Sequence, residues 1–88
     1  MPKFRKKPVV VEAMQFTEAD KDRVYHWARS HQGNVYHSWD ADGAPILLIP
    51  TLEGEMTARL NDWLILGVKG ELYPCKPDIF VATYEEVK

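Results

Sequence analysis

Residues 54–75, GEMTARLNDWLILGVKGELYPC, hold the pattern that decides the fold. From 55 to 60, polar and apolar residues alternate, which is the period of two expected of a strand with one face in water. An Asn-Asp pair at 61 and 62 breaks this run, an apolar segment follows, and a Lys-Gly pair at 69 and 70 turns the chain again. Short apolar runs separated by such turns predict an antiparallel meander.

Three more strand-prone runs precede this meander. Residues 34–39 (NVYHSW) and 44–51 (APILLIPT) are rich in aromatic and β-branched residues, and the turn-forming sequence Asp-Ala-Asp-Gly separates them. A hairpin is the shortest connection between these two runs. Near the start of the chain, PVVVEAMQF at 8–16 also predicts a strand, because consecutive valines suit a pleated, half-buried surface.

The segment between the first strand and the hairpin predicts a helix from about residue 17 to 32. Thr17 is a suitable N-cap, and acidic residues follow in the first turn, where they complement the positive end of the helix. Gly33 is placed to end the helix. One face is formed by residues at the helical spacing i, i+3, i+4 and i+7, namely Val24, Trp27, Ala28 and His31.

The C-terminal part predicts a second, short helix. Pro77 suits its first turn, where a missing N–H costs nothing, and Asp78 complements the positive helix end. We therefore expect an α+β fold: a small antiparallel sheet of about four to six strands, one main helix packed on a face, and a short C-terminal helix. Residues 8–88 are expected to form this single domain, preceded by a basic N-terminal tail at 1–7.

Charge is unevenly distributed along the chain. Four of the eleven basic side chains lie in the first seven residues, whereas residues 8–88 hold the other seven and all thirteen acidic ones, a net charge of −6. An acidic body repels nucleic-acid backbones, so we do not expect nucleic acid as a partner. Only the tail, through Arg5 and Lys7, is a candidate for binding an anion, and the alternative is a solvated terminus.

The chain contains one cysteine, and its longest apolar stretch, PILLIP at 45–50, is too short to span a membrane. Together with the lack of a signal-peptide pattern, this favours a reducing cytoplasm and no membrane partner. A homodimer is compatible with these features, because a small sheet with an edge strand gains stability by pairing it.

Catalytic and metal sites find little support. Cys75 is a candidate nucleophile, since the nearby helix start and Lys76 would lower the pKa of its thiol, but no histidine has a spacing that implies a base. An inert cysteine is the alternative. Three histidines and one cysteine lack the close pair spacing of metal sites, and no phosphate-binding glycine loop occurs. We therefore expect no enzyme activity, metal or cofactor.

The aromatic side chains leave two interpretations open. Trp27 and Phe80 fit the core, whereas Tyr36, Trp39 and Trp63 either complete the core or form an exposed binding surface. A small domain without catalytic groups commonly works by binding. The candidate protein-binding residues are therefore Trp39, Trp63 and Tyr36.

Two longer stretches carry a family resemblance. KFRKKPVVVEAMQFT at 3–17 and IPTLEGEMTARLNDWLILGVKGELYPCKPDIFVATYEEV at 49–87 resemble a widespread group of small phage and prophage proteins, similar to those named for a Pro-Gly-Asp-Tyr-Gly motif. At the position of that motif this chain has Leu-Asn-Asp-Trp, and Asn61 is expected to accept the positive φ that glycine would have. The resemblance implies a phage or prophage origin and expression inside a bacterium.

From these observations we expect a non-catalytic phage accessory protein that binds a host protein in the host-cell cytoplasm and alters host physiology or defence. Two alternatives stay open. One is a sponge for a small nucleotide signal, with Arg5 and Lys7 meeting the phosphates and an aromatic ring stacking on the base. The other is a minor virion or assembly protein.

Overall fold

Six strands and two helices make up the part of the chain that the computed structural model describes, residues 1–5 and 7–87. Residue 6 of the predicted tail and residue 88 of the predicted domain lie outside the described residues. In chain order the elements are β1 (Glu12–Gln15), α1 (Lys21–His31), β2 (Tyr36–Trp39), β3 (Pro45–Thr51), β4 (Gly54–Ala58), β5 (Trp63–Leu66), β6 (Leu72–Cys75) and α2 (Pro77–Thr83).

The strands form two antiparallel sheets, β1-β5-β6 (sheet 1) and β2-β3-β4 (sheet 2), which meet where β6 lies beside β4. The predicted α+β class is confirmed, with the strands divided between two sheets of three. The hydrogen bonds that separate the two sheets begin at Phe16, the residue directly after β1. The Phe16 N–H donates to Asp62 O, and the Phe16 carbonyl accepts the Asn61 N–H. These bonds draw β5 to β1, so β5 does not fold back on β4.

The core lies between the two sheets and α1. β5 is the central strand of sheet 1 and is covered on both faces, since the consecutive residues Leu64 and Ile65 are both buried. Leu64 joins the main core, whereas Ile65 belongs to the outer face of sheet 1. Trp27, expected in the core, packs against it half-buried. The fully buried members are Phe16, Val24, Ala28, Val35, Leu47, Ile49, Ala58, Leu64 and Leu72.

The main helix begins later than the sequence predicts, at Lys21. Thr17 does not cap it, because the Thr17 hydroxyl accepts the N–H of Asp20 at 3.1 Å and closes a turn ahead of the helix. Val24 and Ala28 are buried, as their spacing predicts. Within the described residues, neither helix is long and apolar enough to cross a membrane.

The first strand is shorter than predicted and begins at Glu12. Its register pairs Glu12 with Leu66, so the two valines before it, Val10 and Val11, would fall opposite the turn that joins β5 to β6. They therefore have no strand residue to pair with, and Val10 is 76 % exposed.

A tight turn at residues 59–62 joins β4 to β5. The Asp62 N–H donates to Arg59 O at 3.0 Å, and Asn61 has a φ of 76°. Asn61 is the third residue of this four-residue turn, and a positive φ at that position only is the mark of a type II turn. Such a turn prefers glycine there and tolerates asparagine. The expected positive φ of Asn61 is confirmed. The buried Asp62 carboxylate accepts the Arg59 N–H at 3.0 Å and lies 3.5 Å from Lys76 Nζ.

Candidate functional site

The free edge of β2 presents backbone groups that a partner can bind. β2 is the end strand of sheet 2 and pairs with β3. Just after β2, Asp40 donates its N–H to Ala44 O at 2.9 Å, which makes these two residues a hydrogen-bonded pair. Such pairs alternate along an antiparallel ladder, so the even-numbered residues of β2 point their backbone groups at β3. The odd-numbered residues, His37 and Trp39, direct theirs to the free edge.

Trp39 ends β2 and keeps 67 % of its surface exposed. Folded proteins bury most of the area of a tryptophan, so an indole left mainly in water is a candidate anchor for a partner protein. No aromatic ring among the described residues stacks on Trp39. The edge of β2 therefore combines outward backbone groups with one large, uncovered side chain.

Tyr36 lies on the opposite face of β2 from Trp39, because side chains alternate and three positions separate the two residues. Its hydroxyl donates to the Glu55 carboxylate on β4, so the side chain reaches across β3. This hydrogen bond is the main cause of the raised pKa of the Tyr36 phenol. The Tyr36 side chain therefore lies across one face of sheet 2. The Trp39 side chain lies on the other face, at the end of β2.

Neighbouring side chains hold β2 and its turn in place. The His37 ring packs on the Tyr25 ring of α1, with centroids 3.7 Å apart. In the turn after β2, one oxygen of the Asp40 carboxylate accepts the N–H groups of Asp42 and Ala44, each at 2.9 Å. The edge is therefore preorganised, which lowers the entropic cost of binding a partner.

Trp63, the third candidate aromatic, lies on sheet 1. Its ring stacks on Phe80 of α2, with centroids 4.0 Å apart and planes 5° apart, and Phe80 stacks in turn on Tyr84. Both Trp63 and Phe80 are half-buried. The stack fastens α2 to sheet 1, so the structure brings Tyr36 and Trp39 onto one strand but does not bring Trp63 to them.

A second surface, which we call the terminal cleft, lies over the outer face of sheet 1. Residues 7–11 line one side, residues 83–87 line the other, and Trp63 and Tyr73 lie between them. Its two adjoining lobes have volumes of about 570 and 320 Å³. Burial, and then a hydrogen bond with Tyr84, raises the pKa of Tyr73 to about 12. The cleft is mainly apolar.

The two candidate anion ligands differ in their placement. Lys7 lines the terminal cleft, where Glu71 and Glu85 also lie. Arg5 is exposed and is not part of the cleft lining. The structure therefore does not bring Arg5 and Lys7 together in a pocket of positive charge.

Cys75 ends β6, half-buried and opposite Trp63. Its thiol lies 3.6 Å from Lys76 O. Burial, followed by the negative charges of Asp62 and Asp78, raises the pKa of the Cys75 thiol. The pKa is thus raised, whereas a nucleophilic Cys75 would need it lowered by the helix start and Lys76. A thiol that ionises less than usual is a weak nucleophile.

Within residues 1–5 and 7–87, no group of three histidine, cysteine, aspartate or glutamate side chains is placed to hold a metal ion. Comparisons with protein-family models, curated proteins and solved structures found no match for the chain.

Sequence patterns missed two features of these surfaces. The outward direction of the His37 backbone groups depends on the hydrogen-bonding phase of the β2–β3 ladder, which follows from which residues pair across the two strands. The terminal cleft depends on how the two chain ends lie over sheet 1. Its one signal in the sequence is the valine run at 9–11, which continues a strand pattern past the point where β5 turns away.

Proposed function

We propose that this protein is a non-catalytic binding protein that takes an extended segment of a partner protein along the free edge of β2. The observation that carries the proposal is the 67 % exposure of Trp39 at that edge. An unpaired edge strand offers a row of donors and acceptors to which another strand can add. In this mode, main-chain hydrogen bonds supply affinity and side-chain contacts supply specificity.

His37 and Trp39 have separate roles in the proposed contact. The backbone groups of both residues pair with the partner strand. The indole of Trp39 packs on an apolar side chain of the partner, and tryptophan is among the residues that most often dominate binding energy. The His37 ring stays packed on Tyr25, so the strand keeps its position when the partner adds.

The partner that we propose is a host bacterial protein in the host-cell cytoplasm, whose binding alters host physiology or defence. The support for this part is the resemblance of residues 3–17 and 49–87 to small phage and prophage proteins. The net charge of −6 on residues 8–88 supports a protein over a nucleic acid as the partner, since phosphate backbones are repelled.

A small nucleotide is the second candidate ligand. One observation favours it: Lys7 lines the terminal cleft, which also contains the rings of Tyr73 and Tyr84. Glu71 and Glu85 in the same lining oppose a phosphate group, so protein binding is the better-supported function. Calorimetric titration with cyclic and linear nucleotides tests the alternative, and heat that disappears in Lys7→Ala would support it.

The test of the proposed function compares three tagged proteins in a bacterial host lysate: wild type, Trp39→Ala and Leu52→Ala. Leu52 is the matched control, because it is a fully exposed apolar residue in the β3–β4 turn. We expect a host protein that the wild type and Leu52→Ala capture equally. Its purified form should bind Trp39→Ala at least about tenfold more weakly, the effect of losing an anchor residue. Equal affinity for wild type and Trp39→Ala would refute the proposal.

A further inference from the structure

The first five residues of the chain form an exposed segment that we call the arm. Residues 1–5 are all exposed, and Phe4 keeps 94 % of its surface in water. The longest axis of the molecule is 49 Å, whereas the other two are 27 and 24 Å. The radius of gyration is 14.1 Å, against about 12 Å for a compact domain of this length. The arm therefore leaves an aromatic side chain uncovered by its own domain.

The arm does not return to the terminal cleft of its own chain. Residues 7–11 already line one side of that cleft. Residues 1–5 are not among the residues that line the cleft.

Charge and polarity make the arm and the cleft complementary. The cleft is lined by valines and aromatic rings, and its charged lining is net negative, with Glu71, Glu85 and Glu86 against one basic residue, Lys7. The arm combines the apolar side chain of Phe4 with the positive charges of Lys3 and Arg5. An apolar cleft with negative charges suits an extended segment that alternates basic and apolar residues.

We propose that the N-terminal arm of one copy of this chain docks in the terminal cleft of a second copy. Phe4 fills the apolar part of the cleft, and Lys3 and Arg5 face Glu85 and Glu86. Residues 1–5, when extended, span about 17 Å. The exchange is reciprocal about a twofold axis, so each copy gives one arm and receives one.

Sedimentation velocity of the full chain over a range of concentrations is the first test. We expect a species at twice the chain mass of 10.2 kDa. Phe4→Asp should weaken the dimer at least about tenfold, because an aromatic side chain loses its apolar burial. Leu52→Asp, the same kind of change at an exposed apolar residue of the β3–β4 turn, is the matched control and should leave the dimer unchanged.

A charge exchange then tests the pairing of arm and cleft. Lys3→Glu with Arg5→Glu should weaken self-association, and so should Glu85→Lys with Glu86→Lys. Mixing the two double variants should restore a heterodimer, because one arm and one cleft again carry opposite charges. Asp42→Lys with Glu53→Lys, at exposed turns of sheet 2, controls for the change in net charge.

Two outcomes would overturn the inference. One is a wild-type chain that stays monomeric at every concentration. The other is a dimer that persists in Phe4→Asp and does not respond to the charge exchange. The cleft lies over sheet 1, whereas the proposed partner edge belongs to sheet 2, so each proposal can fail without the other. Trp39→Ala should still dimerise, and Phe4→Asp should still bind the host partner.

Discussion

Replacing Asp62 by alanine is expected to destabilise the fold by about 1–3 kcal/mol. The Asp62 carboxylate is buried, accepts the Arg59 N–H at 3.0 Å and lies 3.5 Å from Lys76 Nζ. Leaving the part-buried Arg59 N–H without its acceptor costs about 1–2 kcal/mol. The pair with Lys76 adds about 0–1 kcal/mol, because the lysine is mostly in water. Domains of this length have about 4–13 kcal/mol of stability, so the variant should stay folded.

Urea denaturation followed by circular dichroism measures this loss, with stability taken from the midpoint at an unchanged slope. Asp62→Asn is the informative partner variant, because its amide oxygen still accepts the Arg59 N–H while the charge is lost. It should cost less than about 1 kcal/mol. Asp42→Ala, at an exposed turn, should stay within about 0.5 kcal/mol of wild type. If Asp62→Asn were as unstable as Asp62→Ala, the hydrogen bond from the Arg59 N–H would not explain the stability lost in Asp62→Ala.

Three further predictions concern sheet 1 and its neighbours. Phe80→Ala should cost about 1.5–2.5 kcal/mol in urea denaturation, half the loss of a fully buried ring, and a loss below about 0.5 kcal/mol would contradict the stack on Trp63. Tyr73 has a pKa of about 12, above its ordinary 10.0, so its contribution to stability is present below pH 10 and lost as the pH rises towards 12. Thermal unfolding at pH 9.5 and 11.5 should show a smaller loss for Tyr73→Phe than for wild type. Cys75 should react with a thiol reagent at pH 8 more slowly in the folded chain than in urea, and equal rates would refute the effect of burial on the thiol.

The α+β class followed from local patterns, and the pairing of strands did not. Alternation at 55–60 and the turn residues around it identify strands without naming their partners. The link that divides the sheets joins Phe16 to residues 61 and 62, which are far apart in the sequence. Likewise, the valines at 9–11 have strand propensity, but the register of β1 leaves them opposite a turn. Tertiary context decided both features.

The candidate site was predictable in its residue types and unpredictable in its exposure. Trp39 and Trp63 are the same amino acid, each at the end of a strand. Trp63 stacks on Phe80, whereas Trp39 keeps 67 % of its surface exposed. The reach of Tyr36 to Glu55 depends in the same way on the order of strands in sheet 2. Asn61 was an exception, since asparagine was expected to tolerate a positive φ at this position and its φ is 76°.

Amide hydrogen exchange by nuclear magnetic resonance, with and without the captured host protein, tests the proposed binding edge most directly. In the free protein, the amides of His37 and Trp39 should exchange faster than that of Ser38, whose N–H faces β3. Adding the partner should slow exchange at His37 and Trp39 and leave Ser38 unchanged. If His37 and Trp39 were already as protected as Ser38, or gained no protection in the complex, β2 would not be the edge that binds.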